Sequence, residues 1–139
     1  MNTEFQLSHS YRQLKGRKIR SLLRIRAKLL EITREWFKTH DFTEVQGPII
    51  VPATEERKPM GFEVKYFKGE ACLAQGTEPY TEALMTQLGK VYTIAPTFRA
   101  ETALTRRHLT EYWRIEAQVP YCDLEGIIKI QEELITHIC

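Results

Sequence analysis

Only three cysteines occur in the 139 residues, Cys72, Cys122 and Cys139, and none falls in a C-x-x-C pair. An odd number at such wide spacing suggests neither a disulfide framework nor a zinc site, and no metal-ligating residues are expected. The longest apolar runs fall far short of the roughly 18 residues that span a bilayer. The first residues, MNTEFQLSHSYRQ, also lack the apolar core of a secretory signal. These absences point to a cytoplasmic chain with no membrane partner. Glycine is scarce, at seven residues, and no G-x-x-x-x-G-K run is present, which argues against a P-loop enzyme. Acidic side chains are nearly missing from residues 1–30, where Glu4 stands alone against Arg12, Lys15, Arg17, Lys18, Arg20, Arg24, Arg26 and Lys28. That segment reads either as the solvated face of an amphipathic helix or as an electrostatic footprint for nucleic acid, without the interleaved aromatics that favour base stacking.

What the chain does have is an ordinary globular composition, 42% hydrophobic and 27% charged, with no repeat, low-complexity segment or linker to divide it. One domain over residues 1–139 is expected. From Leu14 to His40, Ile19, Leu22, Leu23, Leu30, Trp36 and Phe37 recur at three- and four-residue steps, the spacing of a long helix with one buried stripe. In FTEVQGPIIVP, Pro48 and Pro52 confine the segment to an edge strand or an extended arm, because proline cannot donate to an interior ladder. FEVKYFKGEACLAQ alternates like a hairpin, with Lys68-Gly69 as its turn. The next segment, GTEPYTEALMTQLGK, is punctuated as a helix by Thr77 at its N-cap, Pro79 in its first turn and Gly89 past its end. KVYTIAPTF is β-rich. A final helix should carry Leu124, Ile127, Ile128, Leu134, Ile135 and Ile138 on one stripe behind a capping Asp123.

The stretch FRAETALTRRHLTEYWRIEAQ, residues 98–118, concentrates charge where the flanks read as strands. Period-two alternation in EYWRIEAQVP puts Trp113, Ile115, Ala117 and Val119 on one face, expected to be core, and Tyr112, Arg114, Glu116 and Gln118 on the other. Arg99 and Glu101 share the parity of that second face if residues 102–108 connect two antiparallel strands. Arginines beside a histidine fit a polyanionic guest, since the guanidinium fork binds phosphate and carboxylate oxygens in bidentate fashion. Tyr112 offers a flat surface for a base and Glu101 an acceptor for an exocyclic amine, which together suit a nucleoside triphosphate. On composition alone, a solvated hairpin with cross-strand ion pairs explains the same residues equally well.

FRAE followed by TRRHLTEYW closely resembles the second signature motif of class II aminoacyl-tRNA synthetases, in the form found in the asparaginyl-tRNA synthetases. RSLLRIRAKLLEITREWFKTHDFTEVQGPII looks like the first signature motif, a long helix plus a strand, and GKVYTIAPTFRAE is similar to its family counterpart. The resemblance covers residues from about Arg17 to Leu134. It implies an α+β fold, an antiparallel sheet flanked by helices, as part of a class II catalytic core. It further implies that Arg99 binds the α-phosphate of ATP and the substrate carboxylate, making it catalytic together with His108. Glu101 would accept from the adenine amine, Arg107 and His108 would reach the terminal phosphates, and Tyr112 would stack on adenine. Gln75, Glu78, Arg99 and Glu116 would surround the amino acid, asparagine or aspartate. The implied reaction is formation of an aminoacyl-adenylate and pyrophosphate with Mg²⁺ assistance.

Two departures from the family pattern shape the expectations. Where the aspartyl and asparaginyl branch has a stretch like Q-S-P-Q, this chain has Gln75-Gly76-Thr77-Glu78, a carboxylate in place of an amide. No counterpart of the third signature motif or of an N-terminal anticodon-reading β-barrel occurs, so the chain reads as the N-terminal portion of a catalytic core. Three functions follow: amino-acid activation as in asparagine–tRNA ligases, with tRNA left open as a partner; an asparagine synthetase-like paralogue that uses ammonia; or a non-catalytic ATP-binding or dimerising remnant. The first motif forms a dimer interface in the family, which implies a homodimer through residues 19–52.

Overall fold

The computed structural model describes residues 14–54, 60–101, 105 and 108–139. In chain order its elements are α1 (Arg17–Thr39), β1 (Thr43–Glu44), β2 (Ile50–Pro52), β3 (Glu63–Tyr66), β4 (Gly69–Leu73), α2 (Glu78–Leu88), β5 (Val91–Phe98), β6 (Glu111–Gln118) and α3 (Leu124–Ile138). This is an α+β fold. Two compact units are present, one containing α1 and α3, the other lying within Asp41–Cys122. No helix among the described residues is long and apolar enough to cross a membrane.

In the first unit α1 ends as its sequence dictates. The His40 N–H reaches the carbonyls of Trp36 and Phe37, and the His40 ring stacks on Trp36 at 4.0 Å. Trp36 in turn meets Phe37 edge-on at 5.3 Å. The expected buried stripe is realised only near this end: Thr33, Trp36 and Phe37 are buried, while Leu22 and Leu23 stay half-exposed. Length explains the difference. At 1.5 Å per residue α1 is about 34 Å long and the 15-residue α3 about 22 Å, too short to cover the whole stripe. Asp123 caps α3 as expected, accepting from the Gly126 N–H at 2.9 Å. The stripe of α3 contains no fully buried residue.

The second unit holds two three-stranded sheets, ordered β1-β5-β6 and β2-β4-β3. β2 is an edge strand, as its prolines require, and pairs antiparallel with β4. Val51, Cys72 and Ala74 form a small core on which Tyr80 packs. The β3–β4 hairpin forms, but its turn lies one residue earlier than expected. Tyr66 pairs with Gly69, leaving Phe67-Lys68 as the connection. Phe67, not glycine, takes the left-handed conformation at φ 50°. Its ring meets Tyr66 edge-on at 4.7 Å, an aromatic contact that offsets the backbone strain.

α2 keeps the punctuation read from sequence, with Thr77 at the N-cap, Pro79 in the first turn and Gly89 at φ 78° after the last residue. The sheet it contacts is mixed rather than purely antiparallel. The two residues of β1 run parallel to β5, held by Thr43 N–H to Lys90 O and Val45 N–H to Tyr92 O. β5 is flanked on both sides and is accordingly the buried strand, with Val91, Thr93 and Thr97 almost fully enclosed.

Candidate functional site

β5 and β6 pair antiparallel over their full length, with Thr97 opposite Tyr112, Ala95 opposite Arg114 and Thr93 opposite Glu116. Directly opposed residues share a sheet face, so Tyr112, Arg114 and Glu116 stand over a floor of small β5 side chains. Beyond β5 the pairing continues for one more bond, Arg99 N–H to Thr110 O at 2.9 Å. Arg99, two residues after Thr97, therefore shares the parity of Tyr112. Its Nη1 lies 3.5 Å from Glu101 Oε1, with both side chains partly exposed. A pair of this kind contributes about 0–1 kcal/mol and yields readily to a stronger anion.

The faces of β6 are as the alternation predicts, but their burial is inverted. Trp113 is 51% exposed, whereas Glu116 on the other face is the one buried residue of the strand. β6 lies at a sheet edge, and α2 contacts β5 and β6. A buried carboxylate survives only with partners. Glu116 Oε2 accepts from the Thr77 hydroxyl at 2.5 Å and from the Thr77 N–H at 3.2 Å, and Glu116 Oε1 lies 2.8 Å from Arg114 Nη1. Thr77 therefore uses its hydroxyl on a strand rather than to cap its own helix, and the N-terminus of α2 is held by Glu116.

Glu78 reaches this face through the loop that Gln75 begins. The carbonyl of Ala74 accepts from the Phe98 N–H at 3.0 Å, which brings the start of Gln75-Gly76-Thr77-Glu78 beside the end of β5. Glu78 then pairs with Arg114, Oε1 to Nη1 at 2.8 Å. Of the residues singled out in the sequence, Glu78 and Glu116 thus converge on one cation, and Arg99, Glu101 and Tyr112 gather at the strand ends. His108 lies on the connection, in contact with Thr105, and Arg107 lies outside the described residues. Arg114, placed by alternation on this face but given no role there, is the residue that sequence reasoning missed. The available signal was its i, i+2 spacing from Glu116. Among the described residues no group of three His, Cys, Asp or Glu side chains stands close enough to hold a metal ion.

Comparison with known proteins supplies the family and the fold. The family described as tRNA synthetases class II (D, K and N) matches residues 2–139. The asparagine–tRNA ligase of Koribacter versatilis is 41% identical over 135 residues, covering 97% of this chain and 30% of that protein. Its counterpart in Thermococcus gammatolerans is 37% identical over 135 residues, covering 97% of this chain and 31% of that protein. Among solved structures, asparaginyl-tRNA synthetase from Pyrococcus horikoshii complexed with asparaginyl-adenylate superposes with a TM-score of 0.91 at 34% identity, covering 99% of this chain and 32% of that one. The chain spans about a third of the length of the relatives it matches.

Proposed function

The chain belongs to the tRNA synthetases of class II (D, K and N), and we propose that it takes part in their amino-acid activation step, binding ATP at Arg99, Glu101 and Tyr112 and the amino acid at Gln75, Glu78 and Glu116. The substrate carboxylate attacks the α-phosphorus of ATP, the bond from that phosphorus to the β-phosphate oxygen breaks, and pyrophosphate leaves with the electron pair. Asparagine is the proposed amino acid, supported by the names of the relatives, and tRNA the proposed acceptor in the whole protein. Residues 1–139 serve as the N-terminal portion of the catalytic core, in the cytoplasm.

The observation that carries this reading is the placement of Arg99 at the end of β5. Backbone bonding to Thr110 fixes it on the side of Tyr112, and its 3.5 Å pairing with Glu101 is loose enough to exchange for phosphate. Catalysis of this kind is mostly positioning plus neutralisation of developing charge, and a fixed guanidinium supplies both. Tyr112, half-buried across from Thr97, presents its ring as a platform for adenine. Glu101 accepts from the adenine amine once Arg99 turns to the phosphates, and Arg107 and His108 act on the departing pyrophosphate. Mg²⁺, the expected companion of ATP, finds no cage of carboxylates among the described residues.

Calorimetry of Mg-ATP binding tests the assignment. Arg99→Ala is expected to weaken binding by about 1.5–3 kcal/mol, roughly 10- to 150-fold, the worth of charge-assisted contacts. Equal affinity of the two proteins would remove Arg99 from the site.

The same reading includes a homodimer formed through residues 19–52. Ile49 and Ile50 are about half-exposed at the start of the edge strand β2, and an exposed apolar edge is the kind of surface that a symmetry mate covers. Sedimentation equilibrium at micromolar concentration is expected to give twice the chain mass; a monomer throughout would count against the pairing.

A further inference from the structure

Arg114 is bound on two sides by carboxylates from elements far apart in sequence. Its Nη1 lies 2.8 Å from Glu78 Oε1 at the start of α2 and 2.8 Å from Glu116 Oε1 on its own strand. The two carboxylates differ in how they are held. Glu116 is enclosed and is also held by Thr77, through the other carboxylate oxygen. Glu78 has a 41% exposed side chain, and Arg114 is its recorded ion-pair partner. A long side chain in that setting ordinarily samples several rotamers in water. Here its carboxylate is folded back over Gly76. A Cβ on Gly76 would lie 2.7 Å from Glu78 Cδ and 2.8 Å from Oε1, and closer still to Oε2. Gly76 has no left-handed φ to account for it. Its lack of a side chain is what leaves room for the carboxylate.

We infer that Arg114 is a positioning residue for the amino-acid subsite: it clamps Glu78 over Gly76 and cancels one of two negative charges, leaving one net charge to meet the substrate ammonium. This inference rests on the reading of Gln75, Glu78 and Glu116 as that subsite. Two effects compete when Arg114 is removed. The subsite becomes more negative, which favours an ammonium, but Glu78 is released into solvent, where a mobile carboxylate contributes little to a cation. A charge-assisted bond from a fixed acceptor is worth more than that residual attraction, so loss of position prevails. Lysine should replace the clamp in part, because both contacts are made by one nitrogen, Nη1, which an ammonium can imitate, though on a flexible stem without the fixed orientation of a guanidinium.

Titration calorimetry on the full chain, with L-asparagine, its analogue without the α-amino group (succinamic acid) and Mg-ATP as separate probes, tests the clamp. Arg114→Met is expected to weaken L-asparagine about tenfold while leaving succinamic acid and Mg-ATP within twofold, and Arg114→Lys to recover part of the loss. Gly76→Ala, which leaves Arg114 in place but displaces the Glu78 carboxylate, is expected to reproduce the selective loss of L-asparagine. Unchanged or tighter L-asparagine binding by Arg114→Met, or wild-type affinity in Gly76→Ala, would overturn the clamp and leave the proposed function standing. A wild-type chain that binds Mg-ATP but no L-asparagine would overturn the amino-acid subsite and the clamp with it. A wild-type chain that binds neither ligand would overturn the functional reading as a whole.

Discussion

Glu116→Ala is expected to lower the unfolding free energy by about 2–4 kcal/mol. The side chain is 7% exposed, and its removal strands two donors, the Thr77 N–H and the Thr77 hydroxyl, and takes one ion pair from Arg114. Thr77 is itself buried, so water cannot replace the lost acceptor there, and an unpaired buried donor costs about 1–3 kcal/mol. Breaking a fully buried ion pair costs about 3–5 kcal/mol. The figure here is set lower because Arg114 is partly exposed and retains Glu78. Glu116→Gln, which keeps an acceptor oxygen for Thr77, should lose less than the alanine variant. Urea denaturation followed by circular dichroism measures both, and a loss below about 1 kcal/mol for Glu116→Ala would mean that Thr77 finds other partners.

Phe37→Ala is expected to cost about 3–5 kcal/mol, the range for emptying a buried aromatic site. Phe37 is 1% exposed, the largest fully buried side chain described, and its ring supports Trp36 edge-on. Leu22→Ala on the same helix provides the contrast. Leu22 is half-exposed in the single chain, so at dilutions that keep the chain monomeric its loss should cost under about 1 kcal/mol. Thermal unfolding of the two variants side by side decides the point. Similar losses would show that the apolar stripe of α1 is covered along its whole length, as a dimer through residues 19–52 would cover it.

That contrast also marks where the sequence was informative. Signals confined to a few neighbouring residues were legible: the span of α1, Asp123 at the start of α3, Thr77, Pro79 and Gly89 around α2, and the prolines that keep β2 at an edge. Apart from Thr77, whose hydroxyl goes to Glu116 instead of its own helix, each acts on the backbone beside it, so no distant contact cancels it. Periodicity identified faces but not burial, because burial depends on what arrives from elsewhere. Trp113 is exposed and Glu116 enclosed for that reason. The parallel pairing of β1 with β5 involves two residues and has no local signature at all. At the site, parity placed Arg99 and Tyr112 on one face, and the resemblance supplied their roles. The Arg114 clamp was not legible, since it exists only where the loop Gln75–Glu78 meets β6, and nothing in either segment names the other.

The cap on α2 comes from Glu116, 39 residues after Thr77. During synthesis at about 5–20 residues per second, α2 is therefore complete some 1.5–5.5 s before the carboxylate that secures its first turn exists. At 11 residues it is shorter than the roughly 12–15 that hold a helix in isolation. For those seconds the segment Glu78–Leu88 lacks the acceptor that holds its first turn, and its helix becomes permanent only when β6 emerges and folds back onto it.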